Sequence, residues 1–450
     1  MPTVFLTAPL ADRAGGRRKT EIVASTTREL LRALETELPR LRGWILDDRG
    51  RLREHVNVFV NAKRAGLEDP IGPQDEVYVM QAISGGSTSE AEILVGTKKG
   101  LFILRGDRGG PMEVAPRQFA GQVVEYAMRD RRTGTYFASV THGQFGPHLY
   151  TADDPVGDWE QAEGPAFPEG TDASVDRIWV IEEGVEDGVL WAGVAPAALF
   201  RSEDNGRTWA LNRALWDEPS RPDWEGGFGG LCLHSICPWP GDANRLTLGI
   251  SSVGVWRTED GGNSWSRESS GLVPRYLPEE ARADTIMHCV HKIEQSPTET
   301  DTFYMQFHGG VYRSDDAGGT WADIGGVGTR EGLPADFGFP IVVDPTDPDR
   351  AFVIPLVADV DRVTPEGKLR VYETRDRGRS WRARGNGLPQ DHAFETVLRQ
   401  GFCHDGRDPL GLYFGTESGV VYGSADGGES WTTVGKHLPQ IHSVRSSAYG

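Results

Sequence analysis

Seven short segments of this 450-residue chain share one pattern: an apolar residue, a variable residue, any residue, then a second apolar residue. They read Val124-Glu125-Tyr126-Ala127, Val175-Asp176-Arg177-Ile178, Leu233-His234-Ser235-Ile236, Met287-His288-Cys289-Val290, Phe339-Pro340-Ile341-Val342, Phe394-Glu395-Thr396-Val397 and Ile441-His442-Ser443-Val444. In six of the seven the variable position is Glu, Asp or His, namely Glu125, Asp176, His234, His288, Glu395 and His442. Gathered at one place, three imidazoles and three carboxylates could hold a Zn, Fe or Mn ion, or act as acid and base on a bound ligand. Two of Glu125, Asp176 and Glu395 could also serve as the carboxylate pair of a glycoside hydrolase. Equally, the six could hydrogen-bond one another and trapped water around a polar tunnel.

What would gather them is a repeat. Arg201-Ser202-Glu203-Asp204-Asn205-Gly206-Arg207-Thr208-Trp209 returns as Thr258-Glu259-Asp260-Gly261-Gly262-Asn263-Ser264-Trp265 and as Ser314-Asp315-Asp316-Ala317-Gly318-Gly319-Thr320-Trp321. Two further copies end in Ser380-Trp381 and Ser430-Trp431, carrying Asp376 and Asp426. A second-strand signature, as in Gly254-Val255-Trp256 and Gly310-Val311-Tyr312, occurs seven times, so each copy spans about fifty residues, the length of a four-stranded propeller blade. Seven blades are expected, with six as the runner-up. The first copy starts at Ala91-Glu92-Ile93 with no inner strand ahead of it, and Ile441-His442-Ser443-Val444-Arg445 could supply that strand and close the ring. Innermost strands surround a propeller's channel, so the six polar residues would form a ring at one mouth. Loops on that face carry Trp216, Trp224, Tyr276, His392 and His437, with His142 and His308 in turns nearby, and such aromatics could cover a small molecule or glycan.

The pattern [ST]-x-D-x-G-x-[ST]-W resembles the Asp box of sialidase-like (BNR) propellers. The resemblance implies a fold and leaves activity open. Asp204, Asp260, Asp316, Asp376 and Asp426 are expected to be structural, each accepting N–H bonds across a tight hairpin. The Phe-Arg-Ile-Pro motif of sialidases is matched neither by Phe337-Gly338-Phe339-Pro340 nor by Asp176-Arg177-Ile178-Trp179.

Residues 1–86 form a different object. Val4-Phe5-Leu6 and Glu21-Ile22-Val23-Ala24 read as a hairpin, and Thr26-Thr27-Arg28-Glu29 as a capping box. Leu30, Leu34 and Leu38 make a helical stripe stopped by Pro39. Val56, Val58 and Val60 alternate as in a strand, and Glu76-Val77-Tyr78-Val79-Met80 is another, running into Ser84-Gly85-Gly86. This order resembles the ubiquitin-like β-grasp sulfur carriers of the MoaD/ThiS family, through Val58-Phe59-Val60-Asn61, Gly72-x-x-Asp75-Glu76-Val77 and Ala82-Ile83-Ser84-Gly85-Gly86. The resemblance implies that the Gly86 carboxylate is adenylated by an E1-like enzyme, with Gly85 as its spacer. Glycines, lacking Cβ, can thread extended through a narrow partner channel. Here Ser87-Thr88-Ser89-Glu90-Ala91-Glu92 follows, a polar linker at 87–92, so either a protease cuts after Gly86 or the β-grasp unit is only a docking module. The propeller is then residues 93–450.

A net charge of −19 argues against nucleic acid and anionic membrane surfaces. Cys232, Cys237, Cys289 and Cys403 lack Cys-x-x-Cys spacing, so neither an all-thiolate zinc site nor a disulfide framework is suggested. With no apolar leader or spanning run, a cytoplasmic protein is expected. Together these readings imply a mainly β chain: a small α+β sulfur-carrier-like unit followed by a propeller.

Overall fold

A computed structural model describes residues 2–6, 10, 14, 17–41, 45–46, 50, 52, 56–61, 63–81, 90–282 and 285–448. The chain divides into two compact units, Met1–Ser89 and Glu90–Gly450.

In the first unit, β1 (Thr3–Leu6), β2 (Lys19–Glu21), helix α1 (Thr27–Glu37), β3 (Val56–Val60), β4 (Lys63–Arg64) and β5 (Glu76–Gln81) follow in order. The sheet order is β2-β1-β5-β3-β4, with β1 parallel to β5 and the other pairs antiparallel. Thr26 caps α1 by accepting the amide of Glu29 at 3.3 Å. The Glu29 carboxylate reaches back to the amide and hydroxyl of Ser25 at 3.0 and 2.6 Å, one residue earlier than a strict capping box requires. Leu30, Leu31 and Leu34 are buried with Val4, Val58, Val77 and Val79, so the helical stripe and the alternating strand faces meet in one core. Gly85 and Gly86 lie outside the described residues.

The second unit is built of four-stranded antiparallel sheets, consistent with a propeller. Among the described residues there are seven, each following the chain from its first strand outward except the one that holds Ile441–Ser446. That strand pairs antiparallel with Glu90–Thr97, Val444 opposite Val95 and Ser446 opposite Ile93. On its other side Glu90–Thr97 pairs with Gly100–Asp107 from Glu90 opposite Asp107 onward, so residues 90–92 belong to a strand and not to a linker. Each sheet's first strand lies against those of its neighbours, in the cyclic order Ile441–Ser446, Val123–Arg129, Arg177–Glu183, Leu233–Pro238, Val290–Gln295, Phe337–Val343 and Phe402–His404, which returns to the start. Between sheets pack large buried side chains such as Phe137, Phe200, Phe303, Phe307, Phe352 and Phe414. Burying each stabilises the unit by about 1.5–3 kcal/mol. No described helix is long and apolar enough to cross a membrane.

Candidate functional site

One irregularity recurs where these inner strands converge. Val124 and Tyr126 pair with consecutive residues Val140 and Ser139, which leaves Glu125 as an extra, unpaired residue. The same bulge leaves Trp179 between Ile178 and Val180, His234 between Leu233 and Ser235, His291 between Val290 and Lys292, and His442 between Ile441 and Ser443. In the sixth sheet Phe339 and Pro340 occupy the interruption between Gly338 and Ile341. In the seventh, the pairing of His404 with Leu412 places Gln400 at the corresponding position, and Gln400 bridges to Ser443. A bulge frees its residue from the strand's alternation and re-aims the side chain.

The residues at the bulge position are therefore Glu125, Trp179, His234, His291, Phe339, Gln400 and His442. Three of the residues expected from the sequence hold it: Glu125, His234 and His442. Three do not. Asp176 is exposed and precedes its strand, three residues before Trp179. His288 likewise lies three residues before His291, outside the strand. Glu395 sits five residues before Gln400, with both carboxylate oxygens taken by the Ser418 hydroxyl at 2.8 and 2.7 Å. Only one member of the expected carboxylate trio, Glu125, thus occupies the bulge position.

The local chemistry of each imidazole differs. His442 Nδ1 meets Glu125 Oε2 at 3.0 Å, and Arg177 Nε meets the other carboxylate oxygen at 3.1 Å. His234 is fully buried, and its two ring nitrogens are held by the Ser235 hydroxyl at 3.0 Å and the Val290 carbonyl at 3.1 Å. Burial, assisted by Arg399, pushes its pKa well below the ordinary range and keeps the ring neutral. His288 is buried edge-on against Phe307, with neither nitrogen hydrogen-bonded, and burial lowers it to about 4. Among the described residues no ligand cluster joins His234, His288 and His442. Around the aromatic members lie guanidinium groups: Arg177 and Arg399 over Trp179 at 5.1 and 5.7 Å, and Arg362 and Arg399 over Phe339 at 5.3 Å each.

Beyond the bulges the strands carry a second polar layer. Gln400 Nε2 donates to the His234 carbonyl at 2.8 Å, while its side-chain oxygen accepts from Arg445. Arg445 Nε also donates to the Tyr126 hydroxyl at 2.9 Å, and Tyr126 in turn faces Glu182 at 3.4 Å. A cavity of about 530 Å³ is lined by Glu182, Lys292, Glu294, Gln400, His404 and Arg445, among others. Lys292 pairs with Glu294 at 3.0 Å. Burial raises Glu182 from its ordinary 4.5 to about 7, against the opposing pull of Arg445 and Lys292. Burial also lowers His404 and raises Cys403 to about 12. Such an arrangement can take up or release a proton near neutrality at Glu182. Sequence reasoning missed this layer, although Glu182, Glu294 and Arg445 each stand three residues after the bulge residue.

The five repeated Asp turns do something simpler. Asp204 Oδ1 accepts the amides of Arg207 and Thr208 and the Ser202 hydroxyl, at 3.0, 2.9 and 2.8 Å, and its Oδ2 accepts the Thr208 hydroxyl at 2.7 Å. Asp260, Asp316, Asp376 and Asp426 repeat the hydroxyl and amide contacts. These donors hold Asp204 and Asp260 at about 2. Of the loop aromatics, Trp216 and Trp224 both stack on Arg221, at 3.8 and 4.8 Å, and Tyr276 donates to the Met287 carbonyl at 2.8 Å.

Comparison with known proteins separates the two units. The ThiS family model matches residues 4–86. The first unit is a ThiS-like, ubiquitin-type domain. SAMP1 from Haloferax volcanii is 31% identical over 19% of this chain and 98% of its own, with a TM-score of 0.18. An ancestral GH74 enzyme is 15% identical over 76% of this chain, with a TM-score of 0.46, and this chain spans 39% of that enzyme's length. A Bacteroides uniformis protein named as a candidate 6-phosphogluconolactonase is 11% identical over 80% of this chain and 99% of its own, with a TM-score of 0.50, a likeness of fold alone. No curated protein matches the chain.

Proposed function

We propose that this protein joins a sulfur-carrier or protein-modifier unit, residues 1–86, to a seven-bladed propeller, residues 90–450, that acts as a ligand-binding or protein-interaction scaffold. The observation that carries the reading is the ThiS family match over residues 4–86, which ends on Gly85-Gly86. In this reading a protease hydrolyses the bond between Gly86 and Ser87. An E1-like enzyme then activates the freed carboxylate with ATP, forming the acyl adenylate and releasing pyrophosphate. Sulfide or an amine displaces AMP to give a thiocarboxylate or a conjugate. The seven-bladed ring is supported by seven four-stranded sheets whose inner strands neighbour one another in a cycle. Arg177, Arg362 and Arg399 around Trp179 and Phe339 favour an anionic or planar small molecule as the propeller's ligand.

Intact-mass measurement on protein isolated from its native host tests the reading. A species ending at Gly86, with one oxygen exchanged for sulfur or with AMP attached after incubation with the host's E1-like enzyme and ATP, is the expected result. A chain that stays whole and acquires neither group rejects it.

A further inference from the structure

Cys289, His291 and His308 stand at one end of a single hairpin, that of Val290–Gln295 and Phe303–Phe307. Cys289 immediately precedes the first strand and His308 immediately follows the second, and the His308 amide donates to the Cys289 carbonyl at 3.0 Å. The bulge at His291 brings its imidazole to the same end, with the two rings edge to face at 5.3 Å. One ligand atom from each residue, a sulfur and two ring nitrogens, lies within 4.8 Å of the others. One nitrogen of each ring already faces an oxygen, in a hydrogen bond for His291 and at ion-pair distance for His308. His291 Nδ1 faces the Gly338 carbonyl at 2.5 Å, and His308 Nε2 faces the Asp359 carboxylate at 3.6 Å. The first contact leaves the His291 lone pair on Nε2, and a proton on His308 Nε2 facing Asp359 would leave the His308 lone pair on Nδ1. An imidazole held this way, one N–H fixed by a carbonyl or carboxylate, is the ordinary state of a metal ligand. None of the four cysteines is in a disulfide, and the Cys289 sulfur is met by hydrogen bonds from Ser251 and Ser252.

We infer that Cys289, His291 and His308 bind Zn²⁺ through one thiolate sulfur and two imidazole nitrogens. A thiolate with two imidazoles disfavours Mg²⁺, Ca²⁺ and Mn²⁺, which prefer oxygen. Three protein ligands are the number found in zinc sites that keep a fourth position for water or a ligand. The set is distinct from His234, His288 and His442. Asp359 acts as a positioning residue, orienting His308.

The test uses the full chain, stripped of metal by chelation and titrated with Co²⁺. The wild type is expected to take up one equivalent and to develop a thiolate-to-cobalt charge-transfer band, which Zn²⁺ then abolishes by displacement. Cys289→Ala removes the band. His308→Gln, at a half-buried position, lowers Co²⁺ affinity by at least tenfold, and Asp359→Asn lowers it by about tenfold. Cys232→Ala and His442→Gln leave band and affinity unchanged, with circular dichroism confirming that each variant folds. A wild type that takes up no stoichiometric Co²⁺, a band that survives Cys289→Ala, or one that disappears with Cys232→Ala overturns the assignment.

Discussion

The two recurring features of the second unit, the Asp-centred turns and the inner-strand bulges, satisfy their polar groups in opposite ways. An Asp-centred turn closes on itself: Ser424 and Ser430 bond Asp426, and the Gly428 amide bonds Ser424, all within seven residues. The inner-strand groups depend on residues far away in the chain. Gln400 bonds His234, Arg445 bonds Gln400 and Tyr126, and His442 bonds Glu125. A self-contained turn can recur wherever its pattern is written, and it holds its charge in one fixed state. A group whose partners come from other sheets acquires its properties from the assembly, which is where a shifted Glu182 and a thiol beside two imidazoles become possible.

The largest expected effect comes from cutting the shared network. Arg445 is buried, and Arg445→Ala strands Gln400 and Tyr126 and removes the cation that most opposes the upward shift of Glu182, so a loss of about 3–5 kcal/mol in denaturant unfolding is expected. Combined with Gln400→Ala, the double variant should lose clearly less than the sum of the singles, because both remove the same contact. Additive losses would break the contrast.

Titration gives the contrast a sign. The folded pKa of Glu182 is raised, from 4.5 to about 7, so its contribution to stability is complete below 4.5 and disappears as pH rises through 7. Asp204 and Asp260 are depressed, from 3.8 to about 2, so their contribution is present above 3.8 and disappears as pH falls through 2. Unfolding followed from pH 4 to 8 should therefore show wild type losing stability relative to Glu182→Gln as pH rises. Parallel curves would mean that Glu182 is not held in the state described.

The smallest effects belong to the turns. Ser202→Ala and Ser424→Ala each remove a buried hydroxyl that accepts a glycine amide, at 2.8 and 2.9 Å, and each should cost about 1–2 kcal/mol. Together they should add, since the two boxes share no partner. A coupling as large as that expected between Arg445 and Gln400 would remove the distinction between local and assembled sites.

These comparisons also show what could be read before the fold was known. The sequence alone determined the elements that close locally, the five Asp turns and the helical stripe of Leu30 and Leu34, and a count of strands also found the missing inner strand that Ile441–Ser446 supplies to distant Glu90–Thr97. Each rests on spacing within one segment, or on a count of strands. Register within the inner strands was decided by the tertiary structure. A four-residue pattern found Glu125, His234 and His442, but settled on Asp176, His288 and Glu395 where Trp179, His291 and Gln400 stand. A bulge inserts a residue that strand alternation does not announce, and neither Trp, Phe nor Gln looks like a member of a polar ring. The meeting of Cys289, His291 and His308 was likewise invisible, because it needs the ladder to bring residue 308 opposite residue 289. Chemistry that depends on which residues face each other across a sheet is fixed only when that sheet is built.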